Sequence, residues 1–236
     1  MGVCRWHHYR CNCSLYFKVC FFLIFVFFKQ TVNGEVISKF ESKNEIAITF
    51  DACETKTPAY FDEKILHFIV KKQIPVTIFV NEKFALRNLN MLKKIGKFDF
   101  IEIENHSANH YQYMQQLDNE TIVEEVLANE NFLYKNLGIK TKFFRFPGFN
   151  YDRRAVEVVE SLKYKIIHAN LISGDPDKNI TAEKMSKYIG HNLRPGDILI
   201  FHINGRGYNT HKALPEIYNI IKNRGFTPVR LDKVVR

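Results

Sequence analysis

The sequence predicts an α/β fold in which parallel strands form a barrel-like sheet within a single domain. From residue 45 onward, short runs rich in Ile, Val and Phe alternate with segments of helical apolar spacing. The short runs suit buried strands, and the longer segments suit amphipathic helices. Seven such alternations, with no internal repeat or linker, favour βα units joined in one parallel sheet.

The boundaries of several elements can be predicted from local signals. Thr57-Pro58 places a capping residue before a proline at the first helical position, and Gly138 is a typical helix stop. The predicted strands are Glu45–Asp51, Pro75–Asn81, Phe98–Asn105, Lys142–Pro147, Lys165–Asn170, Asp197–His202 and Phe226–Leu231. The predicted helices are Tyr60–Lys72, Asn119–Leu137, a helix capped by Thr181 that runs to Leu193, and Thr210–Asn223.

Residues 1–34 are typical of a targeting segment and lie outside the predicted fold. Three basic residues precede an uncharged apolar run from Val19 to Phe28, which suits the core of a secretory signal and is short for a membrane-spanning helix. Cleavage after Gly34 would remove a signal peptide, and an uncleaved signal anchor is the alternative. We expect an exported protein, periplasmic or extracellular, that meets the membrane only through this segment.

Composition argues against a nucleic-acid-binding protein. Four basic residues and no acidic residue lie in residues 1–34, so 30 basic and 25 acidic residues remain and leave a charge of +5. No basic run, aromatic RNA motif or zinc-finger spacing occurs. Four of the five cysteines also lie in the targeting segment, so Cys53 has no cysteine within the predicted domain to pair with.

Candidate functional residues follow the predicted strands. In barrel-like α/β folds the carboxyl ends of the strands meet on one rim, where functional side chains gather. The residues at these ends are Asp51, His106, His110, Arg145, Asp175 and His202. Asp51 or Asp175 alone would be read as a turn residue, and His202 alone as a core histidine. Their convergence on one rim favours a functional site.

Two pairs of these residues suggest a chemistry. Imidazoles four residues apart, His106 and His110, can bind one divalent cation through neutral nitrogens. Arg145 lies within a predicted buried strand and therefore needs a carboxylate partner, for which Asp51 is the obvious candidate.

Five segments in this order resemble the polysaccharide deacetylase family, which includes chitin, peptidoglycan and acetylxylan deacetylases. The segments are Thr49-Phe50-Asp51-Ala52, His106-Ser107-Ala108-Asn109-His110, Arg145-Phe146-Pro147, Gly174-Asp175 and Ile200-Phe201-His202. The resemblance covers roughly residues 45–236, and it identifies residues 35–236 as a polysaccharide deacetylase-like catalytic domain. It implies a distorted (β/α) barrel of about seven strands.

The resemblance also implies a metal-dependent mechanism that removes N-acetyl groups from an amino-sugar polymer, peptidoglycan or chitin-like. His106 and His110 would hold a divalent metal, with zinc favoured, and Asp51 would be the general base, oriented by Arg145. His202 would protonate the leaving amine, oriented by Asp175. The Gly148 backbone N–H would help to bind the oxyanion.

The motifs depart from the family at two positions. Ala52 stands where the family has a second aspartate that binds the metal, so Asp51, Glu54 or an extra water would have to fill that place. Pro176 stands where a tryptophan often follows Asp175. Two alternatives therefore stay open, namely a hydrolase of a non-sugar amide and a degenerate, non-catalytic glycan-binding protein.

Overall fold

Nine parallel strands form one curled sheet in a computed structural model, which describes residues 35–235. The strands are β1 Val36–Ile37, β2 Glu45–Ala52, β3 Val76–Val80, β4 Ile101–Asn105, β5 Phe143–Phe144, β6 Lys165–Ile167, β7 Leu171–Ile172, β8 Ile198–His202 and β9 Thr227–Val229. The predicted (β/α) barrel is confirmed, with two short strands, β1 and β7, added to the seven expected. The predicted signal segment, residues 1–34, lies outside the described residues.

The strand order is β1-β6-β5-β4-β3-β2-β8-β7, and β9 pairs with the first half of β2. After β1, Lys39 forms an antiparallel bridge with Asp197, and the Phe40 N–H donates to the Gly196 carbonyl at 3.0 Å. The chain that leaves one edge of the sheet thus contacts the start of β8. This contact curls the sheet into an incomplete barrel.

Eight helices are found among residues 35–235. They are α1 Glu63–Lys72, α2 Glu82–Arg87, α3 Leu89–Ile95, α4 Asn119–Leu137, α5 Arg153–Ser161, α6 Ala182–Asn192, α7 Thr210–Asn223 and α8 Leu231–Val234. The predicted bounds hold for α4, which ends at Gly138 with a φ of 71°, and for α7. Thr181 caps α6 as predicted. In this part of the chain no helix is both long and apolar enough to span a membrane.

The predicted start of the first helix at Tyr60 is wrong, because α1 begins at Glu63. The Asp62 side chain caps it by accepting hydrogen bonds from the Lys64 and Ile65 amides. Upstream, the Phe61 amide donates to Asn88 Oδ1 and the Asp62 amide donates to the Ile203 carbonyl, so neither joins a helical turn. A strong local cap signal at Thr57-Pro58 is thereby overridden by tertiary hydrogen bonds.

The predicted strand Lys165–Asn170 is also wrong in extent, because β6 ends at Ile167 and the next strand, β7, begins only at Leu171. β6 pairs with β1 and β5, whereas β7 pairs with β8 at the opposite edge of the sheet. Between them the Asn170 side chain donates to Asp197 Oδ1 at 2.7 Å and accepts from the Ile198 amide at 2.9 Å. These bonds fix the bend that carries the chain across the barrel.

The sheet separates two apolar layers. On β2, residues 46, 48, 50 and 52 pack against the helices outside the barrel, whereas Ala47 packs inside it. The two-residue alternation is that of a strand buried on both faces. The same alternation turns Glu102 and Glu104 of β4 inward, since Ile101 and Ile103 belong to the outer layer.

Glu104 is an acidic group buried inside the barrel. Its Oε2 accepts hydrogen bonds from the Lys142 and Phe143 amides at 2.8 and 2.9 Å. Burial, and secondly the nearby Glu102 carboxyl, raise the pKa of Glu104 well above its usual value. The protonated form is therefore favoured in the folded chain.

Replacing Glu104 by glutamine should remove a pH-dependent loss of stability. Because the folded-state pKa is raised above the unfolded one, stability is lost as pH rises between the two values. Glutamine keeps the acceptor oxygen and does not ionise. In urea unfolding, the stability advantage of Glu104→Gln over the parent should grow from about pH 5 to about pH 8. Parallel pH curves would contradict this, and the exposed Glu157→Gln is the matched control.

Candidate active site

The predicted site residues meet at the carboxyl ends of β2, β4, β5 and β8. Strand register brings them together, because Asp51 is the direct partner of His202 across β2 and β8. Asn105 pairs with Phe144, so the residues that follow each of them, His106 and Arg145, are also neighbours. All six predicted site residues lie on this rim.

Arg145 and Asp51 form a buried ion pair. Arg145 Nη1 lies 2.8 Å from Asp51 Oδ1, and the side chain of Arg145 is fully buried with its guanidinium 4.0 Å from the centre of the Phe79 ring. Burial alone would raise the pKa of Asp51. The neighbouring imidazoles and the guanidinium lower it by more, so the net direction is downward and the carboxylate is ionised.

His106 is held in one tautomer with a free nitrogen. Its Nδ1 lies 2.8 Å from the backbone carbonyl of Arg145, which can only accept, so Nδ1 carries the proton. Its buried Nε2 has no hydrogen-bond partner among residues 35–235 and lies 3.5 Å from Asp51 Oδ2. Burial lowers the pKa of His106 and keeps the ring neutral. A neutral imidazole oriented by a backbone carbonyl is the usual state of a metal ligand.

His110 completes the imidazole pair. The two rings are 4.9 Å apart between centroids, and His110 Nδ1 is also buried without a partner. Burial, and secondly His106, lower the pKa of His110 to about 3, so it is neutral. Two orphaned buried imidazole nitrogens side by side fit a divalent cation better than any hydrogen bond that the described residues offer.

The loop that carries both histidines is strained. Ser107 and His110 have φ values of 66° and 60°, which non-glycine residues rarely adopt. Asn105 Oδ1 accepts from the Ser107 amide at 3.0 Å, and Glu125 accepts from both the backbone and side-chain amides of Asn109. Polar groups around the loop thus hold a conformation that the loop would not favour alone.

Asn81 joins this loop to the chain after β2, and the sequence analysis missed it. Its Nδ2 donates to the Glu54 and Ala108 carbonyls at 2.9 and 3.1 Å. Its Oδ1 accepts from the amides of Glu54 and Phe84 at 2.8 and 3.2 Å. One buried side chain therefore fixes the spacing of both loops and also caps α2. Its position at the end of β3 was the available signal.

Cys53 is a second residue that the sequence analysis missed as a site residue. Its Sγ and one nitrogen each from His106 and His110 all lie within 4.8 Å of one another. Asn204 Nδ2 lies 3.3 Å from the sulfur and can donate to it. Burial, and secondly the Asp51 charge, raise the pKa of Cys53 to about 12, so the thiol is protonated in the absence of a cation.

Glu54, considered as a replacement for the missing aspartate, faces away from the histidines. Both of its carboxylate oxygens are engaged by Arg87, through Nε and through Nη2, the latter at 2.8 Å. The Arg87 hydrogen bond, the largest effect, lowers the pKa of Glu54. The Glu54 carboxylate therefore binds Arg87 and the Ala59 amide in the loop before α1.

His202 and Asp175 form a second buried pair on the other side of Asp51. His202 Nδ1 lies 2.8 Å from Asp175 Oδ1, while Asp175 Oδ2 accepts from the His202 amide and the Thr210 hydroxyl, each at 2.7 Å. Burial lowers the pKa of His202, but the hydrogen bond and charge of Asp175 outweigh it, so the net direction is upward. The His202 side chain is 19% exposed and so reaches the cleft.

Two glycines shape the rim. A Cβ on Gly207 would lie 2.7 Å from Asp175 Oδ2 and 2.5 Å from the His202 carbonyl, so only glycine allows this close approach. Gly148, suggested for oxyanion binding, has a φ of 59°, and a Cβ there would overlap the Gln112 side chain. Gly207 therefore excludes a side chain for steric reasons, and Gly148 disfavours one because of its positive φ.

Comparisons with known proteins agree with these observations. A family model described as polysaccharide deacetylase matches residues 39–167, more than half of the chain. A chitin deacetylase of Pestalotiopsis sp is 22% identical over 200 residues, which cover 83% of this chain and 65% of that protein. The chain spans less than two thirds of the length of the curated relatives that it matches.

Two solved structures share the fold. A peptidoglycan N-acetylglucosamine deacetylase, Bc1960, superposes with a TM-score of 0.77 at 21% identity and covers 86% of this chain and 92% of that one. BA3943 from Bacillus anthracis, described as a CE4 family pseudoenzyme, superposes with a TM-score of 0.75 at 18% identity. The match covers 86% of this chain and 69% of BA3943. The resemblance seen in the motifs is confirmed by the matched family model, and the chain belongs to the polysaccharide deacetylase family.

Proposed function

We propose that this chain is an exported, metal-dependent hydrolase that removes N-acetyl groups from an amino-sugar polymer of the peptidoglycan or chitin type. One observation carries the proposal. A buried ionised carboxylate lies between a pair of unpartnered imidazole nitrogens on one side and a His–Asp pair on the other. This arrangement provides a cation site, a base and an acid within one cleft.

The cation site is His106 and His110, whose buried nitrogens have no hydrogen-bond partner. Nitrogen donors favour zinc or another late divalent transition metal. When bound, such a cation polarises the acetyl carbonyl and lowers the pKa of a water molecule. The chain supplies the orientation, since the Arg145 carbonyl fixes the His106 ring.

Asp51 is suited to be the general base. Its Oδ1 is held by Arg145, which keeps the carboxylate ionised, while Oδ2 faces the His106 nitrogen. A water molecule in the cleft would therefore lose its proton to Oδ2 as its oxygen attacks the acetyl carbon. Arg145 cannot take that proton, so its function is to orient the base and hold its charge.

His202 is suited to be the general acid. Asp175 accepts from Nδ1, which leaves Nε2 of the imidazolium to donate to the sugar nitrogen. As the C–N bond breaks, that proton goes to the departing amine and acetate is the second product. The Asp175 carboxylate orients the ring and favours its charged form.

Two observations support the proposed substrate class, namely the surface around the cleft and the relatives. Tyr111, directly after His110, and Tyr208, whose amide donates to the Asp175 carbonyl, are 47% and 48% exposed. Exposed aromatic rings with a polar end suit the mixed apolar and hydroxyl faces of a sugar chain. The names of the relatives, chitin deacetylase and peptidoglycan N-acetylglucosamine deacetylase, support the same substrate class.

A non-catalytic glycan-binding protein is the second candidate. Ala52 favours it, because this position has no ligand atom, and the fold likeness to the pseudoenzyme BA3943 shows that the fold also occurs without activity. Against it, binding alone requires neither the buried Asp51–Arg145 pair nor the His202–Asp175 pair. The deacetylase therefore remains the better account.

Acetate release from N-acetylglucosamine oligomers and from peptidoglycan tests the proposal. Chain stripped of metal and reloaded with zinc should release acetate, and Asp51→Asn and His106→Ala should each lower the rate by about 10²–10⁴-fold. Glu157→Gln, on the exposed face of α5, should leave the rate unchanged. Folded, zinc-binding protein that releases no acetate from either polymer would contradict the proposal and favour a non-sugar amide or a binding role.

The pH profile tests the assignment of His202 as the acid. The acid must be protonated, so kcat/KM should fall as pH rises through its raised pKa. Asp175→Asn removes the group that raises this pKa and should move the alkaline limb to lower pH. Asp177→Asn, an exposed change two residues along the same loop, should leave the limb in place. An unmoved limb in Asp175→Asn would assign it to another group.

A further inference from the structure

Cys53, the first residue after β2, lies beside the same histidine as Asp51. Residues 46, 48, 50 and 52 pack against the outer helices, and Ala47 packs inside the barrel. Continuing that two-residue alternation from Ala47 puts Thr49 and Asp51 on the inner face. Ala52 therefore points away from the cleft, and the residue that directly follows it carries a thiol.

The thiol lies beside two nitrogens that need a partner. Cys53 Sγ and the donor nitrogens of His106 and His110 lie within 4.8 Å of one another, and the three residues are buried. The unpartnered atoms His106 Nε2 and His110 Nδ1 belong to side chains only 1% and 9% exposed. Asn81 fixes the spacing, because it binds both the residue after Cys53 and Ala108 between the histidines.

The other candidates for a third ligand are engaged elsewhere. Asp51 Oδ1 is held by Arg145 at 2.8 Å, and the proposed base requires Oδ2. Glu54 is held by Arg87 through both oxygens. Among the described residues, Cys53 with these two histidines is the group of three whose donor atoms can hold one ion.

We propose that Cys53 is the third protein ligand of the catalytic metal, in a Cys53–His106–His110 site, and that its thiolate takes the place of the aspartate missing at Ala52. The inference rests on the proposed function for the presence of the metal and for the use of Asp51 Oδ2 as the base. On binding, the S–H bond breaks, a sulfur–metal bond forms and the proton leaves to solvent. The thiolate brings the same single negative charge as a carboxylate, and Asn204 Nδ2 donates to the sulfur.

The sulfur changes which ions the site prefers. Thiolate with two imidazoles is a soft and borderline donor set that favours zinc, cobalt or iron(II) over magnesium or calcium. Three protein ligands also leave a position open for water and substrate, as catalytic zinc sites require. The missing aspartate is therefore compensated by the residue that directly follows Ala52.

Cobalt absorption tests this ligand set directly. The full chain is used with Cys4, Cys11, Cys13 and Cys20 changed to serine, so that Cys53 is its one remaining thiol. Metal-free protein is titrated with Co²⁺, and a thiolate-to-cobalt charge-transfer band in the near ultraviolet is expected. Adding Cys53→Ser should abolish the band. It should also raise the Kd for Co²⁺ by more than about tenfold, because replacing a residue that only hydrogen-bonds to a metal ligand already weakens metal binding by about that factor.

The outcomes separate the ligand from the function. A band that disappears in Cys53→Ser supports the thiolate ligand, whether or not the zinc-loaded protein releases acetate. If the protein that contains Cys53 binds cobalt without the band, Cys53 is not a ligand, even where acetate is released. This outcome can be read without the serine variant, so it does not require that variant to fold. A band with no acetate release leaves the ligand standing and contradicts the deacetylase. No cobalt binding at all overturns both.

Discussion

The fully buried guanidinium of Arg145 is the constraint on which the rest of the site depends. Its side chain holds the Asp51 carboxylate, and its own backbone carbonyl fixes the His106 ring. A buried charge of this kind is tolerated only with a partner and with close packing, which Asp51 and the Phe79 ring supply. Removing either ionic partner would leave an unpaired charge inside the barrel, at a cost of about 3–5 kcal/mol.

The same residue explains why base and metal ligand lie so close together without neutralising each other. Asp51 is stabilised as an anion by Arg145, so it does not need a proton from His106. His106 donates from Nδ1 to a carbonyl, so its Nε2 stays free beside the carboxylate. One arginine, directly after the two-residue strand β5, thus sets the protonation states of both groups.

Much of the fold and the rim could be predicted from the sequence, because each depends on a short, regular signal. Apolar runs marked the strands, and polar residues directly after them marked the site. Gly138 marked the end of α4 because a left-handed stop is a local property. The pairing of Asp51 with Arg145 could also be anticipated, since a buried arginine has few possible partners.

The features that could not be predicted depend on contacts between distant segments. The start of α1 is set by bonds from the Phe61 and Asp62 amides to distant acceptors, and the break between β6 and β7 by bonds from Asn170 to residues near β8. Cys53 was missed for a different reason. The family motif ends at Ala52, whereas the residue with a ligand atom beside the histidines is Cys53, the first residue after β2.

Asn81 binds the two loops of the cleft to each other through a single amide group, and it also begins α2. The loops after β2 and β4 therefore cannot change their separation independently, and their spacing is tied to the seating of one short outer helix. A substitution on the far side of α2 would shift both loops together. We therefore expect substitutions that disturb the hydrogen bonds of Asn81 to affect the cleft more than substitutions that merely lie closer to the reacting atoms.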